Sequence, residues 1–210
     1  FTPANLVYSA PVLGDLANQN YTAGKVMTYA STGTEDGWVL EATETSNTGG
    51  SLNAADKVFI LGDDISNRQY KAILSFKTSD IPANAIIKSA ILKIRQNGGP
   101  VGTNPFTQLG KLWVDIHKGT FGFNALQVKD FQVVASAARV AYFPNTPAGG
   151  WYSAILNAPG RGNINKTGLT QFRLYFATDD NNNKMADFMK FVSGNSATLQ
   201  PQLIITYTLP

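Results

Sequence analysis

Along most of this chain apolar and polar residues alternate with a period of two, the spacing of a strand with one buried face. In residues 70–77, Tyr70, Ala72, Leu74 and Phe76 fall on one side, with Lys71, Ser75 and Lys77 on the other. After a turn at "TSDIPAN" the pattern returns, with Ala90, Leu92 and Ile94 against Ser89, Lys93 and Arg95. Leu112, Val114 and Ile116 oppose Trp113, Asp115 and His117, and Phe172, Leu174 and Phe176 oppose Gln171, Arg173 and Tyr175. Near the end Leu203, Ile205 and Tyr207 oppose Gln202, Thr206 and Thr208. Residues 38–42, 57–61, 140–142 and 188–191 read as further strands. Two stretches predict short helices instead: residues 124–131, through Leu126, Val128 and Phe131, and residues 148–156.

The connectors "NTGGS", "NGGPVGTNP", "PNTPAGG", "NAPGRGN" and "DDNNN" are rich in turn formers. Eight or more short strands so punctuated, without strand–helix alternation, predict an all-β antiparallel sandwich of jelly-roll type. At 210 residues the length suits one such domain. The division expected is an amino-terminal arm, residues 1–24, followed by the sandwich, residues 25–210. No internal repeat of fixed period is evident.

The block "NRQYKAILSFKTSDIPANAIIKSAILKIRQ", residues 67–96, with "PQLIITYT", residues 201–208, resembles secreted jelly-roll domains named after a DNRLRE motif. These domains are related to carbohydrate-binding modules. The matching positions are Arg68, Tyr70, Leu74, Phe76, Ser79, Ile81, Pro82, Ser89, Ala90 and Leu92. With "DGWVLEATETSNTGGSLN" and "ILGDD" upstream, the resemblance runs from about residue 27 to the end. Lys77 departs from it, standing where relatives usually carry an acid. The resemblance implies an extracellular, non-catalytic module of the kind found in polysaccharide-degrading enzymes and in adhesive cell-surface proteins.

Composition narrows the partners. Charged residues make up 15% of the chain for a net charge of +3, and the Lys and Arg residues are scattered rather than clustered, which argues against nucleic acid. No run of about 20 apolar residues could span a membrane. Cysteine is absent, which removes thiol chemistry and disulfides. The sequence opens at Phe1 rather than Met, as a secreted protein would after signal-peptide removal. Asn20 and Asn165 stand in glycosylation sequons.

Catalytic chemistry is poorly represented, and the expectation is a protein that is not an enzyme. The single histidine, His117, could touch Asp115 on the same strand face, but no nucleophile motif accompanies it. Asp63 with Asp64 and Asp179 with Asp180 are adjacent in sequence, which does not give the two acids across a cleft that glycosidases need. In turns, such oxygens can surround calcium, and Asp63, Asp64, Asp179, Asp180 and Asp187 are the candidate ligands. "GRGNINKTG" resembles a phosphate loop but lacks the glycine before Lys166. Trp38, Trp113 and Trp151, with Tyr142 and Tyr152, are candidate platforms for a polysaccharide.

The segment "NLVYSAPVL", residues 5–13, is a strand separated from the rest by the polar stretch "GDLANQNYTAG". Donated to a neighbouring copy of the same chain, Leu6, Val7, Tyr8, Val12 and Leu13 would complete its open sheet edge and build a head-to-tail filament. Burying five such side chains contributes on the order of 10 kcal/mol, against roughly 9–18 kcal/mol of backbone entropy for nine ordered residues. The arm must therefore also complete a hydrogen-bond ladder. The linker Gly14–Gly24 reaches about 36 Å. Pairing of the same segment within its own molecule is the competing expectation, and a free-standing carbohydrate-binding module is the alternative function.

Overall fold

The computed structural model describes residues 24–210, and the arm and its candidate donor residues Leu6, Val7, Tyr8, Val12 and Leu13 lie outside the described residues. Twelve strands are present among the described residues: β1 (Lys25–Ala30), β2 (Gly37–Glu41), β3 (Gly49–Asn53), β4 (Val58–Asp63), β5 (Gln69–Lys77), β6 (Ile86–Arg95), β7 (Leu112–Lys118), β8 (Ala137–Phe143), β9 (Trp151–Ile155), β10 (Leu169–Phe176), β11 (Asp187–Val192) and β12 (Gln202–Thr208). They form two antiparallel sheets packed as a sandwich. One runs β1-β12-β6-β9, and the larger runs β11-β4-β5-β10-β7-β8, with β2 paired to β5 and to β3.

The inward rows are those the alternation predicts. Ala72, Leu74 and Phe76 meet Phe172, Leu174 and Phe176 across the β5–β10 ladder, and Leu112, Val114 and Ile116 continue the layer on β7. The smaller sheet answers with Ala90, Leu92 and Ile94, with Leu203, Ile205 and Tyr207, and with Tyr152 and Ala154. At one end of the core the short helix α1 (Pro105–Gln108) carries Phe106 between the sheets. Its ring stacks on Tyr152 and meets Phe176 edge-on, at centroid distances of 5.2 and 5.1 Å.

Two expectations need correction. Residues 148–156 are not helical. Gly149 and Gly150 adopt left-handed φ of 56° and 79°, making a tight turn in which Ala148 and Trp151 exchange two 3.0 Å backbone hydrogen bonds. A Cβ at Gly150 would come within 1.9 Å of the Arg95 guanidinium. Beyond the turn Tyr152 and Ala154 point inward and the chain runs as β9. In residues 124–131 only Val128–Phe131 turns helically, as a single 3₁₀ turn.

The outward row of the larger sheet is also buried, which alternation does not predict. Residues 119–136 fold back over it, and Phe121, Leu126 and Phe131 form a second, smaller core with Val39 and Ile73. Gly49 permits the close approach, since a Cβ there would lie 1.9 Å from the Val128 carbonyl oxygen.

Where β2 stops pairing with β5 at Ile73, the loop before it takes over. Thr32 N–H donates to the Ser75 carbonyl at 2.9 Å, and the Asp36 carboxylate accepts from Ser75 N–H at 2.7 Å and Gly194 N–H at 3.2 Å. Asp36 is fully buried. That burial outweighs the hydrogen bonds and pushes its carboxyl from 3.8 up to about 7. A raised acid favours the protonated fold, so its stabilising contribution is complete below about pH 4 and is lost as pH rises through 7. Thermal melts across that window should show wild-type stability falling more steeply with pH than in Asp36→Asn; parallel profiles would rule this out.

Candidate functional site

Three features outside the main core carry chemistry: a buried ion pair beneath the 119–136 cover, an acid-rich corner beside β4 and β11, and a groove between two unpaired strand edges.

The ion pair follows from register. Asp115 on β7 and Arg173 on β10 are directly opposed, and both point to the covered face. Arg173 Nη2 donates to Asp115 Oδ2 at 2.7 Å, with side-chain exposures of 10% and 3%. Arg173 Nη1 donates to the carbonyls of Asp130, Phe131 and Val133, and the guanidinium lies 4.8 Å from the Phe121 ring centroid. Asp115 Oδ1 accepts from Tyr175 Oη and from Arg139 N–H. Asp115 is thus engaged by Arg173, not by His117. The histidine rests against Phe121 at 5.2 Å, and its pKa is lowered by burial and by the Arg173 charge. No Asp–His pair forms, and the geometry offers no acid–base dyad there.

Beside the pair, Lys71 Nζ stands 3.8 Å over the Phe131 ring. Burial and the Arg173 charge bring its pKa down to about 8. A polar cleft of about 260 Å³ opens next to it, with Asn47, Gln69, Tyr175 and Asp179 among its walls.

The five candidate cation ligands separate. Asp64 is committed to Arg68, at 2.6 Å, and to the backbone N–H groups of Ser66 and Arg68. Asp179 faces the Lys71 cleft. Asp63 and Asp187 are register partners across β4 and β11, both fully buried. Asp187 accepts from Thr103 N–H and from the Asn181 and Asn183 side-chain amides, while neither carboxylate oxygen of Asp63 has a hydrogen-bond partner. The backbone amides of Asn181 and Asp187 face Asp63 without reaching hydrogen-bond geometry. Burial, then the Asp187 charge, pushes the Asp63 carboxyl up to about 7. Asp180 adds charge from the same turn. Among the described residues, no group of three acidic or histidine side chains is placed to hold a metal by itself.

The candidate aromatic platforms do not assemble. Trp38 packs on the main core and edge-on to Tyr70, Trp113 meets Tyr142 at an interplanar angle of 74°, and Trp151 lies under Lys93 on the other sheet. Tyr152 is buried. Lys166, in the phosphate-loop-like stretch, donates to the carbonyls of Ala83 and Ala85.

The groove was invisible in the sequence. β8 ends the larger sheet and β9 ends the smaller one. The two edges meet where Asn157 N–H donates to the Val140 carbonyl at 2.9 Å. Further along lies a depression of about 210 Å³ walled by Tyr142 and Pro144 on one side and Ser153 and Ile155 on the other. A second depression of about 290 Å³, reaching Phe106 and Lys111, shares Tyr142 and Pro144 with it. Ile155 is 70% and Tyr142 47% exposed.

No protein-family model matches this chain, and no curated protein matches it. No helix among the described residues is long and apolar enough to cross a membrane.

Asp115→Ala should destabilise the fold by about 3–5 kcal/mol in urea unfolding, because Arg173 is left buried without its counter-charge. The double variant Asp115→Leu/Arg173→Met should recover the part of that loss due to unpaired charge but not the part due to the carbonyls that Arg173 holds, and a double variant less stable than the single one would contradict the charge pairing.

Proposed function

We propose that this protein is the structural subunit of an extracellular filament, polymerising non-covalently by donation of its amino-terminal strand to the next copy. The observation that carries the reading is the groove between β8 and β9. It joins two strand edges with no strand partner among the described residues, and its walls, Ser153 apart, are apolar side chains exposed to water. Such an edge is a template for an added strand.

Position supports the same reading. The arm joins the sandwich at β1, one outer strand of the smaller sheet, and the groove flanks β9, the opposite outer strand. Donor and acceptor on opposite edges give a head-to-tail contact that does not close on itself. In an extended arm Leu6, Tyr8 and Val12 fall on one face, and the five residues of β9 set the length of ladder available. Pro11, lacking an N–H, fits beyond that ladder or on its outer side. Secretion and a surface location belong to this proposal, supported by the charge-poor composition.

The polar cleft beside Lys71 favours a second reading, a carbohydrate-binding module. Its amides, ammonium, phenol and carboxylate offer the mixed donors and acceptors that orient a sugar. Retention on insoluble polysaccharide, lost in Lys71→Ala, would select this reading over the first.

Deleting residues 1–13 should leave a folded monomer in light scattering while the full chain forms filaments by negative-stain microscopy. Ile155→Lys, altering an exposed side chain, should also block assembly. Filaments that persist through both changes would overturn the donated-strand reading.

A further inference from the structure

Two buried carboxylates side by side require something positive between or beside them, and the described residues do not supply it. Asp63 and Asp187 face each other across the β4–β11 ladder with no exposed surface. Neither is in an ion pair among the described residues: Arg68, the basic residue nearest Asp63 in sequence, is held by Asp64, and neither Lys184 nor Lys190 pairs with Asp187. Asp187 is at least wrapped in N–H donors, from Thr103, Asn181 and Asn183. Asp63 has both oxygens buried and unpartnered, a costly state for a carboxylate in the interior of a stable fold.

We propose that this corner binds a calcium ion, held by Asp63 and Asp187 and completed by oxygens of the Asp179–Asn183 turn. The chemistry matches a hard cation that takes six to eight oxygens in flexible geometry from carboxylates, side-chain amides and backbone carbonyls. Two carboxylates suffice because the turn is rich in amide oxygen. Asn181 and Asn183 already lie against Asp187 through their nitrogens, and rotating either amide presents its oxygen instead. Asp180, an acid buried in the same turn, would raise the local negative potential when ionised without having to be a ligand.

The fold gives such an ion a structural task. β4 touches β5 in only two register pairs, Gly62–Tyr70 and Asp63–Gln69, and β11 hangs on β4. From the other side Val101 and Gln96 reach β11 through isolated bridges, and the Thr103 N–H ends on Asp187. A cation at Asp63 and Asp187 would tie β4, β11, the 101–103 segment and the 179–183 turn together at the point where strand pairing is thinnest. This inference is independent of the filament reading.

The test uses the full chain stripped with EGTA. Titrated calcium chloride should give a binding isotherm by calorimetry and a melting temperature that climbs with the logarithm of calcium concentration. Asp63→Asn should abolish both, while Asp56→Asn, an exposed acid elsewhere, keeps them. If Asp63→Asn does not fold, Asp180→Asn serves, with affinity weakened roughly 10–100-fold as expected for loss of a supporting charge. Absence of calorimetric binding and of a melting shift would mean that the two acids share a proton instead, and would overturn the proposal. So would a response unchanged in the Asp63 variant, or, where that variant does not fold, affinity unchanged in Asp180→Asn.

Discussion

A single sheet can keep water from both its faces only if the charges on the second face are neutralised where they stand. In this molecule the larger sheet depends on that condition at Asp115 and Arg173. Arginine holds three carbonyls of the 119–136 segment while its own charge is met by the opposed aspartate, so one side-chain pair fixes both the electrostatics of the sheet and the position of the cover. Phe121, Leu126 and Phe131 supply the apolar area, but without the pair they would pack against buried, uncompensated charge.

The same economy governs the backbone at the sheet margins. Just before β2 begins, Thr32 and Asp36 take up the carbonyl and amide of Ser75. Where β9 begins, the Ala148–Trp151 turn closes on itself. Between β8 and β9 a single hydrogen bond from Asn157 joins the sheets, and the edges beyond it have no strand partner among the described residues. An open edge walled by exposed apolar side chains is otherwise a liability to a fold, which makes this one informative.

Much of the architecture was legible in the sequence because inward residues obey a local rule: along the middle of β5, β6, β7, β10 and β12 every second position is apolar and buried. The rule fails where burial is imposed from far away in the chain. Ser75, Asp115, Gln171 and Arg173 read as a wetted face, yet all are buried, because the turn of residues 32–36 covers Ser75 and residues 119–136 cover the others, and no local period announces either. β1 and β3 are outer strands with mostly exposed residues, so alternation does not mark them, and β9 is only five residues long behind two glycines, too short for its alternation to stand out. For the sites, the acidic residues were visible but not their pairing. Asp63 and Asp187 are 124 positions apart in the sequence and meet only through strand register, whereas Asp64, their neighbour in sequence, turns away to Arg68. The groove residues Tyr142, Pro144, Ser153 and Ile155 carry no motif at all; they become a surface only because two sheets end beside each other.

The placement of β1 and β9 on opposite outer edges has a consequence for any assembly built through them. A row of copies linked in this way is polar, with a vacant groove at one terminus and an unclaimed arm at the other. Growth at the two tips then differs, an arm being offered to a groove at one and a groove receiving an arm at the other. A copy lacking its arm would still accept one, and so would act as a cap that stops elongation from a single direction.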